Sequence, residues 1–311
     1  MITEATRTKV LHAAEAAGYR PDPEVAKTMR RLRAGLGPAY KSTIYGITTR
    51  AEKDFLEYHS DVIRGAKQRA EELGYGFILK HLDPLSANQR RLQRTLIHQN
   101  VEGLLLLPMA NPCCCDDWLE WGRFSVVSAT YGVRSPAFHR VIPHQFNNLR
   151  VACAELAALG YRRIGLVVSM DQSVVVNHSF VAALGTQNIL GATEPVTPLL
   201  YSGDFLNSLL PWFDRERPDA LIFDGEATYD SVASVLGEKR TMNLGIALAN
   251  RERKSRLAGI DEQGSVVGRT AVELLAFKIQ TGEKGVPAQA QVTMIEGTWI
   301  TGAIKSGLRR S

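Results

Sequence analysis

Residues 101–107, Val101-Glu102-Gly103-Leu104-Leu105-Leu106-Leu107, decide the fold. Four consecutive leucines leave no polar stripe of period 2 or 3.6, so the segment reads as a strand buried on both faces, as in a parallel sheet covered by helices. The flanking segments agree. Upstream, Thr43 to Thr49 reads as a strand, Phe55 to Leu73 as an amphipathic helix, Phe77 to Leu82 as a strand and Ala87 to Gln99 as a helix, which makes a βαβαβ unit. Downstream, Phe124 to Thr130 adds another strand.

The pattern restarts after His139. A helix from about Phe146 to Leu159 leads into the strand Arg163 to Val168. Then come a helix near Ser179 to Gln187, the strand Val196 to Tyr201, a helix near Phe205 to Arg215 and the strand Ala220 to Asp224. Two further pieces, Leu244 to Ala249 and Val292 to Trp299, are separated by a helix from about Ser265 to Gln280. The expected class is therefore α/β, with two tandem doubly wound parallel-sheet lobes. Gly74-Tyr75 and Gly160-Tyr161 each end a helix just before a strand, as tight helix-to-strand joints require, and read as structural.

Ahead of the lobes, Glu4 to Ala17 reads as a short helix closed by Gly18. Pro23 opens a second helix through Glu24, Val25, Ala26, Met29 and Leu32, and Gly35, Gly37 and Pro38 close it into a linker. Residues 1–41 carry eight Lys and Arg against four acids, hence +4 of the net charge of +5. A basic arm on a nearly neutral body fits a segment that meets a polyanion, or equally a solvated helix with a basic linker. With 311 residues and 45% hydrophobic content the chain can bury more than one core. No run of about 18 uncharged apolar residues occurs and the start is polar, so the expected location is cytoplasmic with no membrane partner. Cys113, Cys114 and Cys115 lie side by side in a turn-like segment, and Cys153 stands alone. That spacing fits neither a disulfide framework nor a metal site, and no cofactor is expected.

Several motifs, in order, resemble one family. They are Ile2-Thr3-Glu4-Ala5-Thr6-Arg7 with Ala17-Gly18-Tyr19-Arg20-Pro21; Gly65, Ala66 and Ala70 before Glu72-Leu73-Gly74-Tyr75-Gly76; and Val101 to Leu106. Leu156 before Ala158-Leu159-Gly160-Tyr161-Arg162-Arg163-Ile164-Gly165 follows, then Gly259-Ile260-Asp261-Glu262-Gln263 with Val267 to Leu275. This series resembles the lactose-repressor (LacI/GalR) family of transcriptional regulators over almost the whole chain. The resemblance implies periplasmic-binding-protein-like type I lobes, joined by three strand crossovers, with a small ligand in the cleft. It divides the chain into the last helix of a helix-turn-helix headpiece (1–20), a hinge helix and linker (21–41), a first lobe (42–142 plus about 258–285) and a second (143–257 plus about 286–311). The two headpiece helices that precede that helix in the family have no counterpart before Met1, so an N-terminally truncated headpiece is expected. The hinge would meet DNA through Lys27, Met29, Arg30, Arg31 and Arg33, with Met29 as the apolar lever in the minor groove, or serve as a simple amphipathic linker.

Ligands of two-lobed α/β proteins bind between the lobes beside the C-terminal ends of strands. On that placement and the resemblance, the candidate effector contacts are Asp54, Phe55 and Tyr58 after the first strand; His144 and Gln145 at the lobe crossing; Asn177 and His178; Asp224 and Glu226 after a buried strand; and Asn250. Phe55 is equally explained by core packing, and Asp261 by a hydrogen-bonding role at the hinge. His144 replaces a common family aspartate, and Asn177-His178 a common arginine.

The function implied is a LacI-type regulator that senses a sugar or sugar derivative and, as a homodimer, couples it to a DNA operator if a full headpiece exists. The alternative is a solute-binding protein or sensor without DNA reading. No catalytic string such as Gly-x-Ser-x-Gly, a P-loop or His-Glu-x-x-His appears, and no enzymatic activity is expected.

Overall fold

A computed structural model describes residues 42–82, 89–99, 101–203 and 205–302, together with residue 13. Apart from residue 13, the expected headpiece helix lies outside the described residues, as do the hinge residues Lys27, Met29, Arg30, Arg31 and Arg33. The described residues from 42 onward form one compact unit.

The first sheet has six strands, all parallel. Its strands are β1 (Thr43–Thr48), β2 (Gly76–His81), β3 (Gly103–Leu106), β5 (Ser125–Ser128), β7 (His139–Pro143) and β13 (Val292–Ile295), in the order β13-β7-β5-β3-β1-β2. Two short strands, β4 (Cys113–Cys114) and β6 (Val133–Ser135), pair beside it. The leucine run does what its composition demands. Leu104 and Leu106 join the cluster beneath α2 (Gln89–His98) with Leu92, Leu96, Trp118 and Phe138, whereas Leu105 and Leu107 join Val62, Ala66, Val267 and Ala271 on the opposite face. Those last four residues belong to α1 (Glu57–Glu72) and α8 (Gly264–Thr281).

The second sheet contains β8 (Ile164–Ser169), β9 (Leu199–Tyr201), β10 (Ala220–Phe223), β11 (Gly245–Leu248), β12 (Ala258–Asp261) and β14 (Thr298–Ile300), in the order β14-β12-β11-β10-β8-β9. Only β14 runs antiparallel to its neighbour. One face carries α3 (Gln145–Ala158) and α5 (Ser179–Ile189), and the other α6 (Leu206–Glu216) and α7 (Glu226–Thr241). A short helix, α4 (Met170–Val175), follows β8 directly. At the joint after α3, Gly160 takes a φ of 99° and the Tyr161 N–H reaches back to the Leu156 carbonyl at 3.2 Å. Positive φ suits glycine, and the bond absorbs a helix-end carbonyl.

The chain passes between the lobes three times: from β7 to α3, from β12 to α8, and from β13 to β14. Here the structure corrects the expected division. Ala258–Asp261 pairs with β11 in the second sheet, although the segment from 258 was expected in the first lobe, and Val292–Ile295 pairs with β7 in the first sheet, although 286–311 was expected in the second. Val292 to Trp299, read as one piece, is two strands in two sheets. They separate at Gly297, where a Cβ would stand 2.5 Å from Ile260 and 2.7 Å from Asn148, and whose N–H bonds Asn148 Oδ1 at 2.9 Å. A larger residue there would have to displace the Ile260 and Asn148 side chains.

Helices α1 and α8 touch backbone to backbone. A Cβ at Gly268 would lie 2.0 Å from the Val62 carbonyl oxygen, and one at Gly65 2.1 Å from that of Ser265. Overpacking such a contact costs about 1–3 kcal/mol, so Gly268→Ala is expected to lower the unfolding free energy by that amount and to move the urea midpoint down accordingly. An unchanged midpoint would place these helices further apart than described.

Candidate functional site

The C-terminal ends of the second sheet's strands face residues at the start of α1, and a cavity of about 280 Å³ lies between them. The first lobe contributes Leu56 and Tyr58, and the second contributes Ser169, Gln172, Tyr201, Asp224–Thr228, Asn250 and Glu252. Ser169 and Tyr201 are the last residues of β8 and β9, and Asp224 follows β10 directly. Parallel strands that end together deliver their last side chains to one edge, which is why residues far apart in sequence converge here.

Asp224 is tied on one side only. Its Oδ2 accepts from the Ser169 N–H at 3.2 Å, whereas its Oδ1 is buried without a partner. Burial raises its pKa above the ordinary aspartate value, and hydrogen bonds from Thr228 and nearby backbone oppose the rise. The Tyr201 hydroxyl lies 3.1 Å from Thr228 Oγ1, and its ring stacks on Phe205 at 4.0 Å. Glu226 opens α7 and accepts from Ser255 Oγ at 3.1 Å. Tyr58 is held neutral far above the usual tyrosine range, first by burial and then by the nearby Glu262 and Tyr131. His59, one residue on, is pushed down to about 4 by burial and then by Arg50, so its Nδ1 is free to accept the Leu56 N–H at 3.0 Å. That bond satisfies an otherwise orphaned amide at the start of α1.

Of the sequence-read contacts, Tyr58, Asp224, Glu226 and Asn250 line this cavity together. The others stand elsewhere. Asp54 is exposed in the turn Glu52–Asp54, and Phe55 packs against His59 with ring centroids 6.3 Å apart. Asn177 and His178 both take left-handed φ values, 54° and 56°, at the turn between α4 and α5. His178 Nδ1 lies 3.0 Å from Ser173 Oγ, but Ser173 is fully buried, so this Ser–His pair is a turn lock with no open face for a substrate. The residues missed were Leu56, Ser169, Gln172, Tyr201, Thr228 and Glu252. Ser169 and Tyr201 could have been found by taking the last residue of each strand.

His144 and Gln145 belong to the hinge. The buried Gln145 donates from Nε2 to Glu262 Oε1 at 2.5 Å, linking the first crossover to the second. His144 Nδ1 lies 2.8 Å from Glu296 Oε1, and Asn147 donates to the other oxygen of the same carboxylate, linking the first crossover to the third. Asp261 acts locally, its Oδ1 accepting the Gln263 N–H at 2.9 Å. Beyond the hinge, further contacts bridge the lobes. Arg253 pairs with Glu57 at 2.5 Å and with Asp61 on α1, while the Arg134 guanidinium donates to the Val174 carbonyl and Tyr131 bonds Ser179.

No family model matches the sequence, and no curated protein does. Solved structures do match the fold. A protein assigned as a ribose operon repressor from Burkholderia thailandensis superposes with a TM-score of 0.62 at 18% identity, covering 84% of this chain and 100% of that one. The Lac repressor bound to ONPG gives 0.62 at 17% identity over 97% of this chain and 91% of its own. A transcriptional regulator CelR–cellobiose complex gives 0.62 at 16% over 99% and 92%. The described lobes therefore have the two-lobed fold of the repressor cores.

Glu262 makes the hinge sensitive to pH. Burial raises its carboxyl from 4.5 to about 7, helped by repulsion from Asp261 and opposed by the Gln145 hydrogen bond. The folded state thus keeps a proton that the unfolded chain has already lost, so stability falls as pH rises from about 4.5 to about 7 and the penalty is complete above that. Glutamine cannot ionise. Glu262→Gln is expected to gain on the parent between pH 5 and pH 8, on the order of 3 kcal/mol in urea unfolding. An equal difference at both pH values would contradict the assignment.

Proposed function

We propose that the chain is a transcriptional regulator of the lactose-repressor (LacI/GalR) type whose core binds a small sugar-like effector between its lobes. The observation that carries this reading is the cavity itself, walled by both lobes and lined by carboxylates, amides, hydroxyls and two tyrosine rings. Carboxylates and amides accept and donate to sugar hydroxyls, and an aromatic face covers the apolar side of a sugar ring. At about 280 Å³ it sits near the lower end of small-ligand pockets, which begin at about 300 Å³, so a monosaccharide is the right scale. The shared fold adds to this, since one structural neighbour is a regulator in complex with cellobiose and another the Lac repressor bound to ONPG.

A ligand that touches both walls favours one angle between them, and an angle is what two lobes joined only at a hinge can change. The bridges from Arg253 to Glu57 and Asp61 and from Arg134 to Val174 would then form or break with occupancy. In a homodimer such a change alters the spacing of two hinge segments, where Lys27, Met29, Arg30, Arg31 and Arg33 would meet DNA. The exposed Ile78 and Leu79 on the edge strand β2 suit a dimer contact. The reading assigns binding without turnover in a soluble intracellular regulator. No helix among the described residues is long and apolar enough to cross a membrane.

The test is a gel shift of the DNA upstream of the chain's own gene, repeated with each sugar that raises the protein's melting temperature. The expected result is retardation that one such sugar changes, with Glu226→Ala weakening that sugar's binding by about tenfold to a hundredfold in calorimetry. A chain that binds the sugar but never the DNA would be the solute-binding alternative.

A further inference from the structure

The charge of the cavity wall narrows the effector further. Among its described lining residues are three carboxylates, Asp224, Glu226 and Glu252, and no lysine, arginine or histidine. Neighbouring cations are engaged elsewhere. Arg251 donates to the Leu257 and Ser255 carbonyls at 2.9 and 2.5 Å, Arg253 is held by Glu57 and Asp61, and Arg50 reaches the Met109 and Ala110 carbonyls. Among the described residues, nothing bonds the Glu252 carboxylate, and Asp224 keeps one buried oxygen without a partner.

A neutral polyol satisfies such acceptors by hydrogen bonds, but it encloses three like charges and compensates none of them. Burying uncompensated charge is costly, and repulsion between the carboxylates grows as water leaves. A phosphate or carboxylate ligand would add to that repulsion. A protonated amine removes it, and Tyr58 and Tyr201 in the same wall are residues of the type whose rings attract cations.

We propose that the effector carries a protonated amine on a hydroxylated skeleton, as an amino sugar does, with the ammonium among Asp224, Glu226 and Glu252. This rests on the reading of the cavity as the effector site.

Titration calorimetry with matched trios tests the proposal: glucosamine, glucose and glucose 6-phosphate, and the corresponding galactose and mannose sets, at neutral pH and low salt. In at least one trio the amine is expected to bind about tenfold or more tighter than the neutral sugar, with the phosphate not binding. High salt should weaken the amine selectively, because screening acts on charge. Asp224→Asn and Glu252→Gln should each lower the amine's affinity more than the neutral sugar's; Glu252→Gln, at a partly exposed position, serves if the first variant fails to fold. A neutral or phosphorylated sugar that binds as tightly as its amine overturns the proposal and leaves the sugar-sensing reading standing, and so does a panel in which no amine binds at about 10 mM. Sugar binding untouched by Asp224→Asn, Glu226→Ala and Glu252→Gln alike would instead remove the effector from this cavity.

Discussion

A chain that threads three times between two sheets must gather its crossings at one place, and here they gather around polar side chains, with Gln145 and Glu262 buried and Glu296 exposed. Gln145 from the first crossing donates to Glu262 in the second, and His144 and Asn147 from the first reach Glu296 in the third. Each link joins residues more than one hundred positions apart in sequence, so the hinge exists only once both lobes have folded. Buried polar groups without partners are expensive, which favours the register that pairs them. Yet Gln145 Oε1 and Asn148 Nδ2 stay buried without partners at the same place.

The cavity follows from the same geometry. Because strands β8 to β11 run parallel, their last residues share an edge, and because α8 returns to pack on α1, the start of α1 is held across from that edge. Gly65 and Gly268 permit that return by letting two helix backbones touch. The walls thus belong to two lobes that are linked by side chains at the hinge and by the Arg253 bridge. Each lobe has a sheet packed on both faces, so a ligand has little to deform except the angle between them.

Much of this was legible in the sequence because burial on both faces writes continuous apolar runs. Leu104 to Leu107, Ile164 to Val168 and Ala220 to Phe223 could be read as strands without knowing their neighbours. The pairing of β12 and β13 could not. Their exposure and composition are compatible with either sheet, and the choice depends on partners more than one hundred residues away in the case of β13. The site was partly legible. Asp224, Glu226 and Asn250 follow strong strands, and strand ends are where such clefts form. Ser169 and Tyr201 obey the same rule but were passed over, while Glu252 sits in a loop with no local signal. His144 and Gln145 also follow a strand, but that strand leads across the hinge, so the same local pattern delivers hinge residues instead of cavity residues.

The central claim is that a ligand sits between both walls. Hydrogen exchange of the chain with and without the sugar that most raises its melting temperature tests it directly. The account predicts slowed exchange in the first-lobe segment 56–58 together with the second-lobe segments 169–172, 224–228 and 250–252. Protection confined to one lobe, or centred on the separate surface groove between α2 and residues 116–120, would contradict it.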